Sequence, residues 1–193
     1  MSDNPNKWPD KQWIALYTKP RAEKQVALKL TQAGLENYVP LLKERRRWSD
    51  RMKWVEVALI PSYVFCKILD KELHVARQVD GVVCPVTIGL SRSEVARIPD
   101  NQMDDFKTMV EYQKGLKVLS AGQFVKGAYV EVVAGDYMGL KGHVVSVDGN
   151  DMFGITLEGV SMTIAASIDM QFLNIIDDPN KPFKKSKSKT LNQ

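Results

Sequence analysis

Apolar and polar residues recur with two different periods along this chain, and each change of period marks an element. Trp13 to Thr18 alternates as a strand does, with successive side chains on opposite faces. From Arg21 to Gln32 the residues Val26, Leu28 and Leu30 lie among Lys and Gln after Pro20, with Gly34 as a stop, which predicts a helix. Tyr38 to Trp48 and Lys53 to Leu59 are extended runs separated by Ser49 and Asp50, so a β-hairpin is expected. Pro61 leads into Ser62 to Leu69, the most buried strand, with Tyr63, Phe65 and Ile68 among its apolar positions. A short helix over Glu72 to Val79 and a strand over Val82 to Thr87 follow. Met103, Phe106 and Val110 then recur at helical spacing over Asn101 to Tyr112, after Pro99. Strands and helices interleave, which predicts an α+β sandwich over residues 12–112.

The second part reads differently. Gln113 to Lys126 has the Lys, Ser and Gly content of a flexible linker. Beyond it, Gly127 to Val147 sets two valine-rich strands around Gly135, Gly139 and Gly142. Val130 and Val132 can share one side of the first strand, and Val145 and Val147 one side of the second. A β-branched run punctuated by glycine makes a poor helix. Further strands at Phe153 to Leu157, Met162 to Ala166 and Phe172 to Ile176 bring the total to about five, enough for a small closed barrel over residues 127–177. Residues 1–11 and 178–193 carry almost nothing to bury, so a disordered N-terminus and a disordered lysine-rich tail are expected.

Charge separates these parts more sharply than the net +4 suggests. Residues 1–119 hold 20 Lys and Arg against 15 Asp and Glu, residues 120–178 hold two against eight, and the tail adds five lysines with no acid. A basic first part suits phosphate contact, whereas an acidic second part repels a polyanion. No apolar run approaches membrane length, and the polar N-terminus lacks the form of a signal sequence, so cytoplasmic residence without a membrane partner is expected. Cys66 and Cys84 have no C-x-x-C spacing and only His74 and His143 to join them, so buried reduced thiols are expected, with neither metal nor cofactor. No nucleophile and base pair, P-loop or metal set stands at useful spacing, which argues against an enzyme.

Gly135, Tyr137, Gly139 and Gly142, between strands carrying Gly127, Val130, Val132 and Val145, resemble the KOW motif. Ala128 departs from it, since an acidic residue commonly follows the first glycine there. A wider resemblance covers the first part. Trp13 through Arg21 with Glu23, Ile60 through Phe65, His74 through Arg77, and Arg97 through Met103 are similar to the N-terminal domain of the NusG family of transcription elongation factors. Among its members the text is closest to specialised paralogues such as RfaH and the UpxY regulators of polysaccharide operons. The resemblance implies an αβ sandwich with an antiparallel sheet, joined by a linker to an SH3-like five-stranded barrel.

It also implies function by binding. The family's first domain grips the clamp helices of the largest RNA polymerase subunit through an aromatic-lined cavity and opposes pausing; Tyr17, Pro61, Tyr63 and Phe65 match its lining. Arg45, Arg46, Arg47 and Trp48, with Arg51, Lys53 and Trp54, crowd cations and indoles onto the hairpin tip, as suits contact with upstream or fork DNA. Lys19, Arg21, His74 and Arg77 match positions near the non-template strand. For the barrel the family offers a small-subunit ribosomal protein or the Rho termination factor, and acidity favours such a basic partner over RNA. Phe153, Ile155, Tyr137 and Met138 are the candidate contacts. The expectation is a monomeric, nucleoid-associated elongation and antitermination factor acting on particular operons. The alternative is a ribosome- or RNA-associated KOW protein acting in translation.

Overall fold

A computed structural model describes residues 8–48, 51–89, 94–112 and 115–179. In chain order its first half comprises β1 (Gln12–Thr18), α1 (Glu23–Gln32), β2 (Glu36–Tyr38), β3 (Leu41–Trp48), β4 (Arg51–Ala58), β5 (Tyr63–Ile68), α2 (Leu73–Gln78), β6 (Val82–Pro85), β7 (Thr87–Ile88), β8 (Glu94–Val95), β9 (Arg97–Ile98) and α3 (Asp100–Tyr112). The second half comprises β10 (Lys117–Ser120), β11 (Val125–Val132), β12 (Lys141–Val147), β13 (Asn150–Leu157), β14 (Met162–Ala166) and β15 (Leu173–Ile175).

The first module is built on the antiparallel sheet β2-β5-β1-β6, with β9 also pairing to β1. Alternation sends the side chains of β1 and β5 to opposite faces. Ile14, Leu16, Val64, Cys66 and Ile68 join Val26 and Leu30 of α1 and Ala76 of α2 on one face. Trp13, Ala15 and Phe65 meet Phe106 of α3 on the other. Phe106 stacks edge-on against Phe65 and Tyr38, at centroid distances of 5.5 and 5.9 Å. Each such aromatic pair adds about 1 kcal/mol to what burial alone gives. The fold is therefore α+β with an antiparallel sheet between helices, as the alternating periods predict.

Several particulars differ from the sequence reading. Residues 1–7 of the expected N-terminal arm lie outside the described residues, but Trp8 is buried in the second apolar cluster, so order begins before residue 12. Cys66 is buried, and burial pushes its thiol up to about 12, whereas Cys84 on the edge strand β6 is exposed. The short pairs β7–β8 and β9–β1 carry no alternation long enough to detect.

In the second module the linker is shorter than residues 113–126, because Lys117 to Ser120 pairs with β14. The sheet then has six strands in the order β10-β14-β13-β12-β11-β15, rather than about five. Val130 lies opposite Gly142 and Tyr129 opposite His143. Val130 and Val132 therefore face away from Val145 and Val147, and the two pairs enter different apolar clusters. Gly135 and Gly139, at φ 83° and 90°, supply the left-handed turns between β11 and β12. Gly142 is required by space, since a Cβ there would meet the Gly154 carbonyl oxygen and the Phe153 ring. His143 Nε2 lies 3.1 Å from Asp178 Oδ2, both side chains nearly buried, so ordered chain extends to the edge of the expected tail. Residues 180–193 of that tail lie outside the described residues.

The two modules touch through α3, which contacts β1 on one side and β13 and β14 on the other. Tyr112 stacks edge-on to Tyr137 at 5.7 Å, and Gln102 Oε1 accepts a hydrogen bond from the Glu158 amide at 3.0 Å. Gly159 sits so close to the backbone of Arg97 that a Cβ would meet its carbonyl oxygen at 2.6 Å.

Candidate functional site

Tyr17 and Tyr63 are direct partners across β1 and β5, so both rings emerge on the same face. Their centroids are 5.4 Å apart at 76°, and Tyr17 is 40% exposed while Tyr63 is half-buried. Burial first, then the neighbouring Tyr17 and Cys84, raises the Tyr63 phenol above its ordinary pKa. Pro61 is exposed beside them. Between Pro61 and Tyr63, Ser62 takes a left-handed conformation at φ 65°, unusual for a residue with a side chain. Its amide donates to Glu23 Oε1 at 2.6 Å, and its carbonyl accepts from the Thr18 amide at 2.8 Å. Glu23 is itself buried, so the start of α1 anchors the approach to Tyr63.

Phe65 stands apart from this pair. It is fully buried beneath Phe106, so it supports the sheet from within and offers no surface for docking. Cys84, paired with Tyr17 across β6, takes the neighbouring exposed place. Nothing in the local sequence separates Phe65 from Tyr63; which ring α3 covers depends on a helix that lies some forty residues further on.

The basic hairpin is one two-stranded ribbon, β3 with β4, whose register deals its residues to two faces. Lys43 with Glu56, Arg45 with Trp54, and Arg47 with Met52 share one. Glu44 with Val55, Arg46 with Lys53, and Trp48 with Arg51 share the other; the Trp48 side chain lies outside the described residues. Arg46 is held by Glu44 at 3.0 Å. Trp54 is 64% exposed, with the Arg45 guanidinium 5.8 Å from its ring centroid. The sequence presents these residues as a single cluster, and pairing divides them.

The remaining cationic candidates fall around α2 and its exit. Lys19 donates its amide to Gly81 and brings its ammonium within 3.7 Å of Asp80, which Lys29 also holds at 2.7 Å. His74 and Arg77 are both exposed on α2, and His74 Nδ1 donates to the Lys71 carbonyl at 2.7 Å. Arg21 is exposed, at φ 64°. Among the barrel candidates Met138 is 70% exposed, while Tyr137, Phe153 and Ile155 are buried in the cluster that also holds α3. Of the motif residues, Val130, Val132, Val145 and Gly142 are buried and position the strands, whereas Gly127, Gly135 and Gly139 are exposed. Among the described residues no group of His, Cys, Asp and Glu is arranged to hold a metal ion, and no helix is long and apolar enough to cross a membrane.

Comparison with known proteins agrees with both halves of this arrangement. The family model described as transcription termination factor nusG matches residues 11–107, half of the chain, and the KOW motif model matches residues 126–158. Among curated proteins none matches. Among solved structures, "Domain interaction in Thermotoga maritima NusG" is 19% identical, covering 87% of this chain and 98% of that one, with a TM-score of 0.48. "Crystal Structure of MjSpt4:Spt5 complex conformation A" is 15% identical over 85% and 97% of the two chains, with a TM-score of 0.28.

Proposed function

Because the chain belongs to the NusG family of transcription factors, we propose that it binds RNA polymerase during elongation, raises processivity, and serves particular operons as a specialised antitermination paralogue. The observation that carries this reading is the edge-stacked pair of exposed Tyr17 and half-buried Tyr63 beside Pro61. Rigid aromatic rings dominate interface energies because they add large contact area and lose little rotamer entropy. The Glu23 carboxylate and the left-handed Ser62 hold the approach to Tyr63 in one conformation, which lowers the ordering cost of docking. The clamp helices of the largest polymerase subunit are the partner the family implies. Phe65 acts beneath the patch, as its support.

In this reading the β3–β4 ribbon lies over DNA through the face that carries Arg45 and Arg47, and Lys19, Arg21, His74 and Arg77 line the path of the non-template strand. The barrel recruits a basic protein, a small-subunit ribosomal protein or Rho. Its surface carries Glu131, Asp136, Asp151 and Asp169, and with Phe153 and Ile155 buried the contact falls to Met138 and to exposed Val133 and Ile175.

Titration of the full chain onto purified polymerase tests the proposal. Tyr63→Ala should weaken binding by about thirtyfold, the size of a typical aromatic anchor. Its melting temperature should stay within about 3 °C of wild type, since the ring is only half-buried. Undiminished affinity in a folded variant overturns it.

A further inference from the structure

The two faces of the β3–β4 ribbon are chemically unequal. On one face Lys43, Arg45, Arg47, Met52, Trp54 and Glu56 are all exposed, and only the root pair, Leu41 with Ala58, is half-buried. The opposite face is half-buried towards its root, where Leu42, Glu44, Val55 and Val57 lie, and Leu42 packs against the main apolar cluster. One side of the ribbon therefore leans on the body and the other is open to solvent.

The open side carries features that stability does not explain. Trp54 leaves 64% of its surface in water and Met52 half, at the cost of exposed apolar area. The Arg45 guanidinium sits 5.8 Å from the indole centroid, and Arg47 stands one pair further towards the tip. The lone carboxylate of this face, Glu56, is bonded to Lys24 Nζ of α1 at 2.9 Å. That bond, with the Lys24 charge, holds its pKa below the usual carboxylate range. An ammonium from α1 thus offsets the one negative charge, leaving the platform cationic. On the other face the acid Glu44 instead engages an arginine of the ribbon itself, Arg46.

We propose that this open face is a binding site for an unpaired DNA strand, with Trp54 and Met52 as the platform on which a base stacks and Arg45 and Arg47 as contacts to its flanking phosphates. A flat indole edged by guanidinium groups accepts any base through its π-face, and cations spaced along a strand follow a sugar-phosphate backbone. A duplex keeps its base faces stacked internally and gives Trp54 nothing to cover. This sidedness deepens the DNA-contact reading of the hairpin and rests on it: the stacking residue is Trp54, and Arg46 belongs to the other face.

Fluorescence titration of the full chain with a short oligothymidylate tests the site. Trp8 and Trp13 are buried, so binding at the open face should quench emission from Trp54. Trp54→Phe should remove most of that quench and Trp48→Phe should keep it. Trp54→Ala should weaken binding about tenfold, the usual worth of one stacked base. Arg45→Ala and Arg47→Ala should each flatten the slope of log affinity against log salt by about 0.7. Arg46→Ala, on the paired face, should cost no more than about twofold. Loss of the quench in Trp48→Phe and not in Trp54→Phe overturns the proposal, as does tighter binding of the matching duplex or of the RNA equivalent. Polymerase titration of Trp54→Ala and Tyr63→Ala separates the two readings. If Tyr63→Ala binds polymerase as wild type does, the docking reading fails, whatever the oligonucleotide shows. If only the oligonucleotide results fail, docking stands and the stacking site does not.

Discussion

Two of the antiparallel hairpins, β11–β12 and β3–β4, handle their side chains in opposite ways. In β11–β12 both faces contribute to packing: Val130 and Val132 enter one apolar cluster, Val145 and Val147 another, and Gly142 leaves no room for a side chain beside Gly154 and Phe153. In β3–β4 one face is open beyond its root pair, and the residues standing there are cations, an indole, a thioether and one carboxylate, Glu56. Most of the residues that make the second module recognisable as a KOW motif, namely Val130, Val132, Tyr137, Gly142 and Val145, are buried by folding. The side chains available to a partner are those that folding leaves uncovered. The same contrast recurs on the sheet of the first module, where Phe65 is sealed under α3 while Tyr63, two residues earlier on the same face, is half in solvent.

Substitutions can break this contrast. Phe65→Ala should produce the largest effect, a loss of about 4 kcal/mol in thermal or denaturant unfolding, because it opens a cavity beneath Phe106. Gly142→Ala should cost about 3 kcal/mol by forcing a methyl group into the Gly154 backbone and Phe153 ring. Trp54→Ala should move stability by less than about 0.5 kcal/mol in the same assay, since it removes an exposed ring. Equal losses for Gly142→Ala and Trp54→Ala would erase the distinction between the hairpins.

Two smaller effects sharpen it. A thiol reagent at mildly alkaline pH should label Cys84 quickly and Cys66 only on unfolding, since Cys66 is buried with its thiol pushed up to about 12. Mass spectrometry that found both modified in the native state would contradict the packing of β5 against α1. Asp105, on α3, has its pKa raised first by burial and then by the Asp104 carboxylate. Its folded pKa therefore lies above the unfolded one, so the penalty on folding is full above the folded pKa, shrinks as pH falls between the two, and is gone below the unfolded pKa. Asp105→Asn should raise the melting temperature by about 1 °C at neutral pH and give no gain near about pH 3.

Much of the architecture is legible in the sequence because it rests on local period. The strand at Trp13, the helix after Pro20, the strand after Pro61 and the helix after Pro99 all carry their pattern within a dozen residues. What escapes is set by partners remote in sequence. Lys117 to Ser120 has linker composition and becomes a strand only because β14 offers an edge. Phe65 and Tyr63 read alike until α3 covers one of them. The arginine cluster divides by register, which fixes Trp54 with Arg45 and Arg46 with Lys53. Glu23 is visible as one acidic residue at the start of a helix, but its grip on the Ser62 amide joins positions 39 apart.

Hydrogen exchange of the full chain, alone and bound to RNA polymerase, tests the central claim most directly. Polymerase should slow exchange in the backbone around Tyr17 and from Pro61 to Tyr63 and leave the outer face of α1, around Leu28, unchanged. Protection confined to the second module, with the tyrosine-bearing segments exchanging as in the free protein, would contradict it.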